Sequence, residues 1–258
     1  IVGGGPAGLF AAYYLAENSK LKVLLIEKGK APLKRRCPIK DNGCIKCKPC
    51  NILCGIGGAG LFSDGKLNFI HKLGKTDLTQ FLPTSEAIAL IDETEVIFNR
   101  FGMDGKVFPT DKDQARNIRK EARKCGIDLL LIKQKHLGSD NLPNHIAKMA
   151  DYVADKGVVF HHEEEVHEIL ITEGCATGVL TSKGTYSAEN IILAPGRVGA
   201  EWVAGVARKL GIEVSQRGIE VGVRVEVHNE IMQDLCSTIY DPTFFVLTSK
   251  YDDQTRTF

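Results

Sequence analysis

Apolar positions in the first 156 residues form short runs separated by helix-length stretches; from Val158 they recur at strand spacing. Ile1 and Val2 read as the end of a buried strand, residues 9–16 as a small apolar helix and residues 22–26 as a second strand. Residues 84–101 carry Ile88, Ile91, Val96 and Phe98 among their apolar positions, which predicts a helix capped by Thr84 or Ser85. Asp104-Gly105 turns the chain, and residues 111–124 predict a strongly charged surface helix. A strand at 127–132 follows, then a helix capped by Ser139 or Asp140 that runs to Lys156 and stops at Gly157.

Beyond Gly157 the pattern predicts strands at 158–160, 165–171, 176–181, 185–187 and 190–193. Glu173-Gly174 and Lys183-Gly184 mark hairpins between them. A helix is expected at 200–210. Residues 219–227 alternate as a strand that turns Arg224 inward, toward an anionic partner that is most simply a protein carboxylate. The last stretch, 244–247 and 251–258, reads as part of a β-rich region.

Between the first two strands stand Gly3, Gly5 and Gly8, in G-x-G-x-x-G spacing. One glycine makes the tight strand-to-helix turn, one lets the backbone approach a pyrophosphate, and one lets helix and strand touch. The helix N-terminus beyond them offers N–H groups and a positive dipole end to a diphosphate. Glu27 ends the second strand, where an acid accepts hydrogen bonds from a ribose hydroxyl pair. Together these predict a dinucleotide site.

Composition narrows the class. A 43% hydrophobic content is enough for a sizeable core, and a net charge of +1 gives no sign of a nucleic-acid partner. No apolar run is long enough to span a bilayer and no signal peptide is visible, so a cytoplasmic location is expected. Ile1 is not an initiator methionine and the first strand begins halfway along, so the chain is expected to be part of a longer one.

Eight cysteines in such a chain point to metal, cluster or redox chemistry before structural disulfides. Cys44, Cys47, Cys50 and Cys54 form C-x-x-C-x-x-C-x-x-x-C, the spacing of ferredoxin-type ligands for a 4Fe–4S cluster. Structural zinc and redox-active or plain thiols are the alternatives. Gly55 stands where ferredoxins place proline. Cys37 is a spare thiol, and Cys125, Cys175 and Cys236 are expected to be inert packing residues. The lysines and arginines around this loop read as a solvated charge run.

Gly55, Gly57 and Gly60 repeat the glycine spacing, but neither a preceding strand nor a second acidic strand end accompanies them, which excludes a second Rossmann unit. Such a backbone suits a flat ring or a phosphate, and Ser63, Asp64, Lys66 and His71 are polar groups that could face it. His161, His162, Glu163, Glu164, Glu165 and His167 alternate between two faces of an exposed strand, so they cannot all converge on a metal.

The order of these motifs resembles the FAD-binding domain of the glutathione-reductase-type flavoprotein superfamily. It is more narrowly similar to a family of FAD-dependent dehydrogenases with a cysteine-rich loop followed by GGAG-x-FSDGKL. The resemblance implies an α/β fold: a Rossmann-like FAD-binding domain, parallel sheet plus β-meander, interleaved with a mixed α+β substrate domain. The expected parts are residues 1–75 and 136–200 for the FAD-binding domain, 76–135 for a helical insertion, and 201–258 for the start of a β-rich substrate domain.

It further implies an FAD diphosphate over Gly3, Gly5, Pro6, Ala7 and Gly8, with the ribose on Glu27 and the adenine near Val166. Ala194 to Gly196 would lie near the diphosphate, and Gly58, Ala59, Gly60 and Ser63 near the isoalloxazine. The superfamily's C-terminal flavin motif, an apolar strand ending in Gly-Asp, is absent. The implied activity is hydride or electron transfer between FAD and a small substrate, with a redox donor or acceptor such as NAD(P)H. Ser63, Asp64 and His71 are the acid–base candidates by position alone. An NAD-dependent dehydrogenase and a non-catalytic flavin or zinc module are the other readings.

Overall fold

The computed structural model describes residues 1–39, 43–74, 76–138, 140–215, 221–247 and 254–256. The chain divides into two units, Ile1–Gly65 with Gly138–Gly218, and Lys66–Leu137 with Ile219–Phe258. The expected helical insertion and most of the expected β-rich segment therefore fall in one unit, whereas helix Ala200–Lys209 belongs to the first.

In the first unit the apolar start of the chain becomes the middle of a parallel sheet. Val2 bridges in parallel to Ile26 on one side and to Leu193 on the other. Strand Leu24–Glu27 pairs in parallel with Val159–His162, in a register that sets Glu27 beside His162. The chain leaves this sheet at its carboxyl edge through Gly3, Glu27 and Ala194, the edge at which open α/β sheets bind ligands. Residues 190–193, expected as a strand, contribute only the Leu193 bridge.

Helix Pro6–Asn18 opens with Pro6 in its first turn, where a missing N–H costs nothing. Helix Leu142–Asp155 lies against it: the Tyr13 and Tyr152 rings sit 6.0 Å apart with their planes tilted by 31°, and Glu17 takes the Tyr152 hydroxyl and the Lys156 ammonium. The N-cap of this second helix is Asn141, with no side-chain cap bond, so the capping role expected of Asp140 is not taken up there; Ser139 lies outside the described residues. Gly157 ends it at φ 98°, as expected.

The meander is antiparallel, Val166–Thr172, Cys175–Thr181 and Thr185–Ser187, with the middle strand between the others. Glu173 and Gly174 both have positive φ, 52° and 80°, as a tight twisted hairpin requires. Val166 and Val179 pack with Val2 and Ile26 into one apolar cluster that Trp202 covers, its indole N–H donating to the His167 carbonyl.

The second unit holds helices Thr84–Arg100, Lys112–Lys124 and Asn229–Ile239 and two three-stranded sheets. Asp111 caps the middle helix by accepting from the Asp113 and Gln114 N–H groups. Thr84 and Ser85 do not cap theirs, because Pro83 stands at that position. Strand Thr243–Leu247 pairs with Ile127–Leu130, and Leu129 is buried with Ala115 and Ile239. Residues 221–227 form no strand; Val221 and Val223 are 87% and 88% exposed. Arg224, expected inward, is exposed and pairs with its neighbour Glu226.

Candidate functional site

Three backbone segments of the first unit meet where the glycine fingerprint predicted a ligand. Gly3, at φ 101°, passes so close to the strand end at 194 that a Cβ would stand 2.3 Å from the Ala194 carbonyl oxygen. A Cβ on Gly8 would lie 1.9 Å from the Gly3 oxygen, so this glycine is what lets helix and strand touch. Gly5, Pro6 and Ala7 are at least partly exposed at the helix start, where the first N–H groups have no intrahelical partner.

The third segment is the second glycine run. The Gly57 N–H donates to the Gly4 carbonyl at 2.8 Å, and a Cβ on Gly58 would meet Gly5 and Pro6 at 3.2 Å. Gly58 has φ 64° and starts a short 3₁₀ turn, Ala59–Phe62, with Leu61 buried and Ala59 and Gly60 exposed. The predicted residues Gly3, Gly5, Pro6, Gly8, Gly58 and Ala194 are thus brought together. Gly196, at φ 61°, follows on an exposed turn. Val166 is in the core below, at the start of the meander.

Glu27 does something the fingerprint did not predict. Its carboxylate is buried and accepts three backbone N–H groups: Gly4 at 2.7 Å on Oε2, and Gly29 at 2.8 Å and Gly55 at 2.9 Å on Oε1. The carboxylate therefore fastens the fingerprint to the second glycine run. Only Oε2 retains capacity for another donor, given about two acceptor sites per carboxylate oxygen.

Its counterpart is Arg35, which the sequence reading placed in a solvated charge run and which is 3% exposed. Its guanidinium donates to the carbonyls of Asn51 (3.0 Å), Ile52 (2.7 Å), Gly55 (3.3 Å), Ile56 (2.9 Å) and Gly58 (2.8 Å). It also lies 5.0 Å from the centre of the Phe62 ring. Burial pulls its pKa below the ordinary value, and the Glu27 charge opposes that shift. No sequence pattern marks this residue, because its partners are main-chain carbonyls.

The acid–base candidates are dispersed in role. The Ser63 hydroxyl donates to the Gly60 carbonyl at 2.7 Å and accepts from the Gly65 N–H, which closes the local turn. Asp64 is exposed in the same turn. His71 belongs to the second unit, where its carbonyl accepts from the Leu78 N–H. Lys66, also in that unit, is paired with Asp241. Among the acids near the meander, Glu164 is buried rather than exposed, accepting from Thr181 and 3.0 Å from the His161 Nδ1.

Among the described residues no three or more His, Cys, Asp or Glu side chains are arranged to hold a metal ion. Cys44 is exposed and accepts the Lys46 N–H at 3.4 Å, Cys54 is buried, and Cys47 and Cys50 are half-buried. Burial pushes the Cys54 thiol up. The Leu53 and Ile52 N–H groups, with lesser help from Cys47 and Arg35, pull Cys50 down. Cys37 is exposed; Cys125 and Cys175 are also exposed, so they are not the packing residues expected, and Cys236 is half-buried.

The model of an NAD(P)-binding Rossmann-like domain matches residues 1–32, the span from the first strand through Glu27 to Pro32. No curated protein sequence matches the chain. Among solved structures, L-amino acid deaminase from Proteus vulgaris is similar at 17% identity and a TM-score of 0.47, over 83% of this chain and 49% of that one. Glycine oxidase from Geobacillus kaustophilus is similar at 18% identity and a TM-score of 0.46, over 83% and 58%. Glycine oxidase from Bacillus cereus gives 17% and 0.46, over 81% and 58%. The chain thus spans about half the length of the deaminase. Among the described residues, no helix is long and apolar enough to cross a membrane.

Proposed function

We propose that this chain is the dinucleotide-binding part of an FAD-dependent oxidoreductase that moves hydride or electrons between the flavin and a small organic substrate. The observation that carries the reading is the cradle in which Gly58 packs on Gly5 and Pro6 while Ala194 crosses Gly3. Two glycine runs meeting at a helix N-terminus, at the carboxyl edge of a parallel sheet, fit a diphosphate and a flat ring beyond it. The deaminase and oxidases above act, by their names, on amino acids; the substrate of this protein is left as a small organic molecule.

In this reading Gly5, Pro6, Ala7 and Gly8 hold the diphosphate at the helix dipole. Ala194 and Gly196 flank it, and Gly58, Ala59, Gly60 and Ser63 face the ring. Glu27 shares Oε2 between the Gly4 N–H and a ribose hydroxyl. FAD, when bound, supplies the redox chemistry; the protein supplies binding and orientation. NAD(P)H is the expected electron donor, and the expected setting is the cytoplasm.

An absorbance spectrum of the full-length protein, with cofactor released by denaturation, tests this. One FAD per chain is expected. Gly58→Val, which sets a branched side chain at φ 64° against Gly5 and Pro6, should abolish its retention. Protein that carries no flavin and takes up none would refute the proposal. Retention of nicotinamide instead would favour the NAD-dependent reading, which the family model over residues 1–32 independently supports.

A further inference from the structure

The second unit holds a pocket that the proposed function does not use. Strand Val107–Phe108, the start of helix Lys112–Lys124 and residues 131–133 enclose about 320 Å³, at the lower end of the range for small-molecule sites. Phe108, Ala115 and Ile132 give it a buried apolar wall. Its charged lining is Lys112, Arg116 and Lys133, and no carboxylate lines it. Lys112 is the first residue of its helix, where the dipole disfavours a cation, and Arg116 stands one turn on, where a like charge repels it. The acids nearby leave positive charge in surplus. Asp113 engages Arg116 only through Nη1, at 2.7 Å, and Glu95 answers both Lys133 and Lys135. Lys112 has no ion pair among the described residues. Asp111 accepts the Asp113 and Gln114 N–H groups at 2.8 and 2.9 Å, so the pocket offers an anion side-chain cations rather than the helix end.

We propose that this pocket binds a small carboxylate with a single ring or branched chain as its body and no amino group. The body lies against Phe108, Ala115 and Ile132, and the carboxylate accepts from Arg116 and Lys112. A guanidinium fork matches a carboxylate through two parallel N–H···O bonds, and the lysine adds a point charge. An amino group is excluded because the lining holds three cations and no acid, so an ammonium would lose its water without gaining a partner. A free phosphate would satisfy the cations but leave the apolar wall uncovered. The pocket lies wholly within the second unit and the glycine cradle within the first, so the inference does not rest on the FAD reading.

The test is a calorimetric titration of the full-length protein with 3-phenylpropanoate, repeated with phenylalanine, 3-phenylpropanol and inorganic phosphate. One phenylpropanoate per chain is expected to bind, about tenfold or more tighter than any of the other three. Arg116→Gln and Lys112→Gln should each weaken it about tenfold. Both side chains are exposed, so the unfolding midpoint should not move. Lys120→Gln, on the same helix but outside the lining, should change the affinity by less than about twofold. Absence of saturation by about 10 mM would overturn the proposal. So would equal binding of any one of the other three compounds, or phenylpropanoate binding that Arg116→Gln and Lys112→Gln leave unchanged. Flavin absorbance read on the same samples separates each of these outcomes from the fate of the FAD reading.

Discussion

Two sets of charges, one in each unit, work in opposite ways. In the first, Glu27 and Arg35 are buried and answer main-chain groups: three N–H groups on one side, five carbonyls on the other. In the second, ions answer each other. Arg119 and Arg123 both hold Asp128 near the surface, whereas Glu95 and Lys135 form a buried pair that Lys133 joins. An ion bonded to the main chain fixes the course of the backbone, so its loss deforms a loop. An exposed ion paired with another side chain fixes little beyond that side chain. The glycine cradle needs the first kind, because its parts are glycines, which have no side chains to hold them in place.

Arg35→Ala is expected to be the most damaging change, since it leaves five main-chain carbonyls without their donor. Each buried carbonyl left unsatisfied costs about 1–3 kcal/mol, and a denaturant titration should show that loss together with loss of flavin. A loss below about 1 kcal/mol, no more than an exposed ion pair contributes, would erase the contrast between the units. Gly8→Ala comes next. Its Cβ would overlap the Gly3 oxygen, and overpacking of this kind costs about 1–3 kcal/mol. Helix and strand should be forced apart, weakening flavin retention at saturating urea-free conditions as well as the unfolding midpoint.

Glu27→Gln sharpens the comparison within the first unit. The amide keeps one acceptor oxygen but turns a donor toward an N–H group, so roughly 1–3 kcal/mol of stability should be lost through the unsatisfied group. Flavin content measured at a temperature where the variant is still folded then separates cradle geometry from global unfolding. Unchanged stability would mean that the three N–H contacts contribute nothing.

The smallest effect is expected in the second unit. The Arg119 and Arg123 guanidinium groups hold the Asp128 carboxyl well below the usual carboxylate range. A depressed folded pKa contributes stability that is present above the unfolded value, about 3.9, and is lost as pH falls through the folded one. Asp128 is 43% exposed, so solvent screening limits the contribution to under about 1 kcal/mol. Asp128→Asn should therefore lower stability slightly at neutral pH and flatten the acid limb of the stability curve.

How far the sequence could be read follows the same division. The fingerprint glycines, the Glu173-Gly174 hairpin and the helices at 84–100, 112–124, 142–155 and 200–209 were legible, because periodicity and glycine spacing are local signals. Arg35 was not, since a charge run looks solvated until its carbonyl partners fold around it. Glu27 was legible as a strand end but not as a clamp, because Gly29 and Gly55 reach it only through the tertiary fold. Helix Asn229–Ile239 did leave a trace, with Ile231, Leu235 and Ile239 spaced by four, and it was passed over beside the stronger alternation of the valines before it. That alternation predicted a strand facing inward, but a period-two pattern forms a strand only where a neighbour supplies the ladder.

Gly55 is gripped from both sides, its N–H by Glu27 and its carbonyl by Arg35. Arg35 begins the cysteine loop and Gly55 closes it, so one residue pair acts as a clasp around the intervening chain. Lengthening a loop with fixed ends costs only about 0.6 kcal/mol per doubling. Between Arg36 and Cys50, a change of loop length or of cysteine spacing should therefore leave the cradle standing.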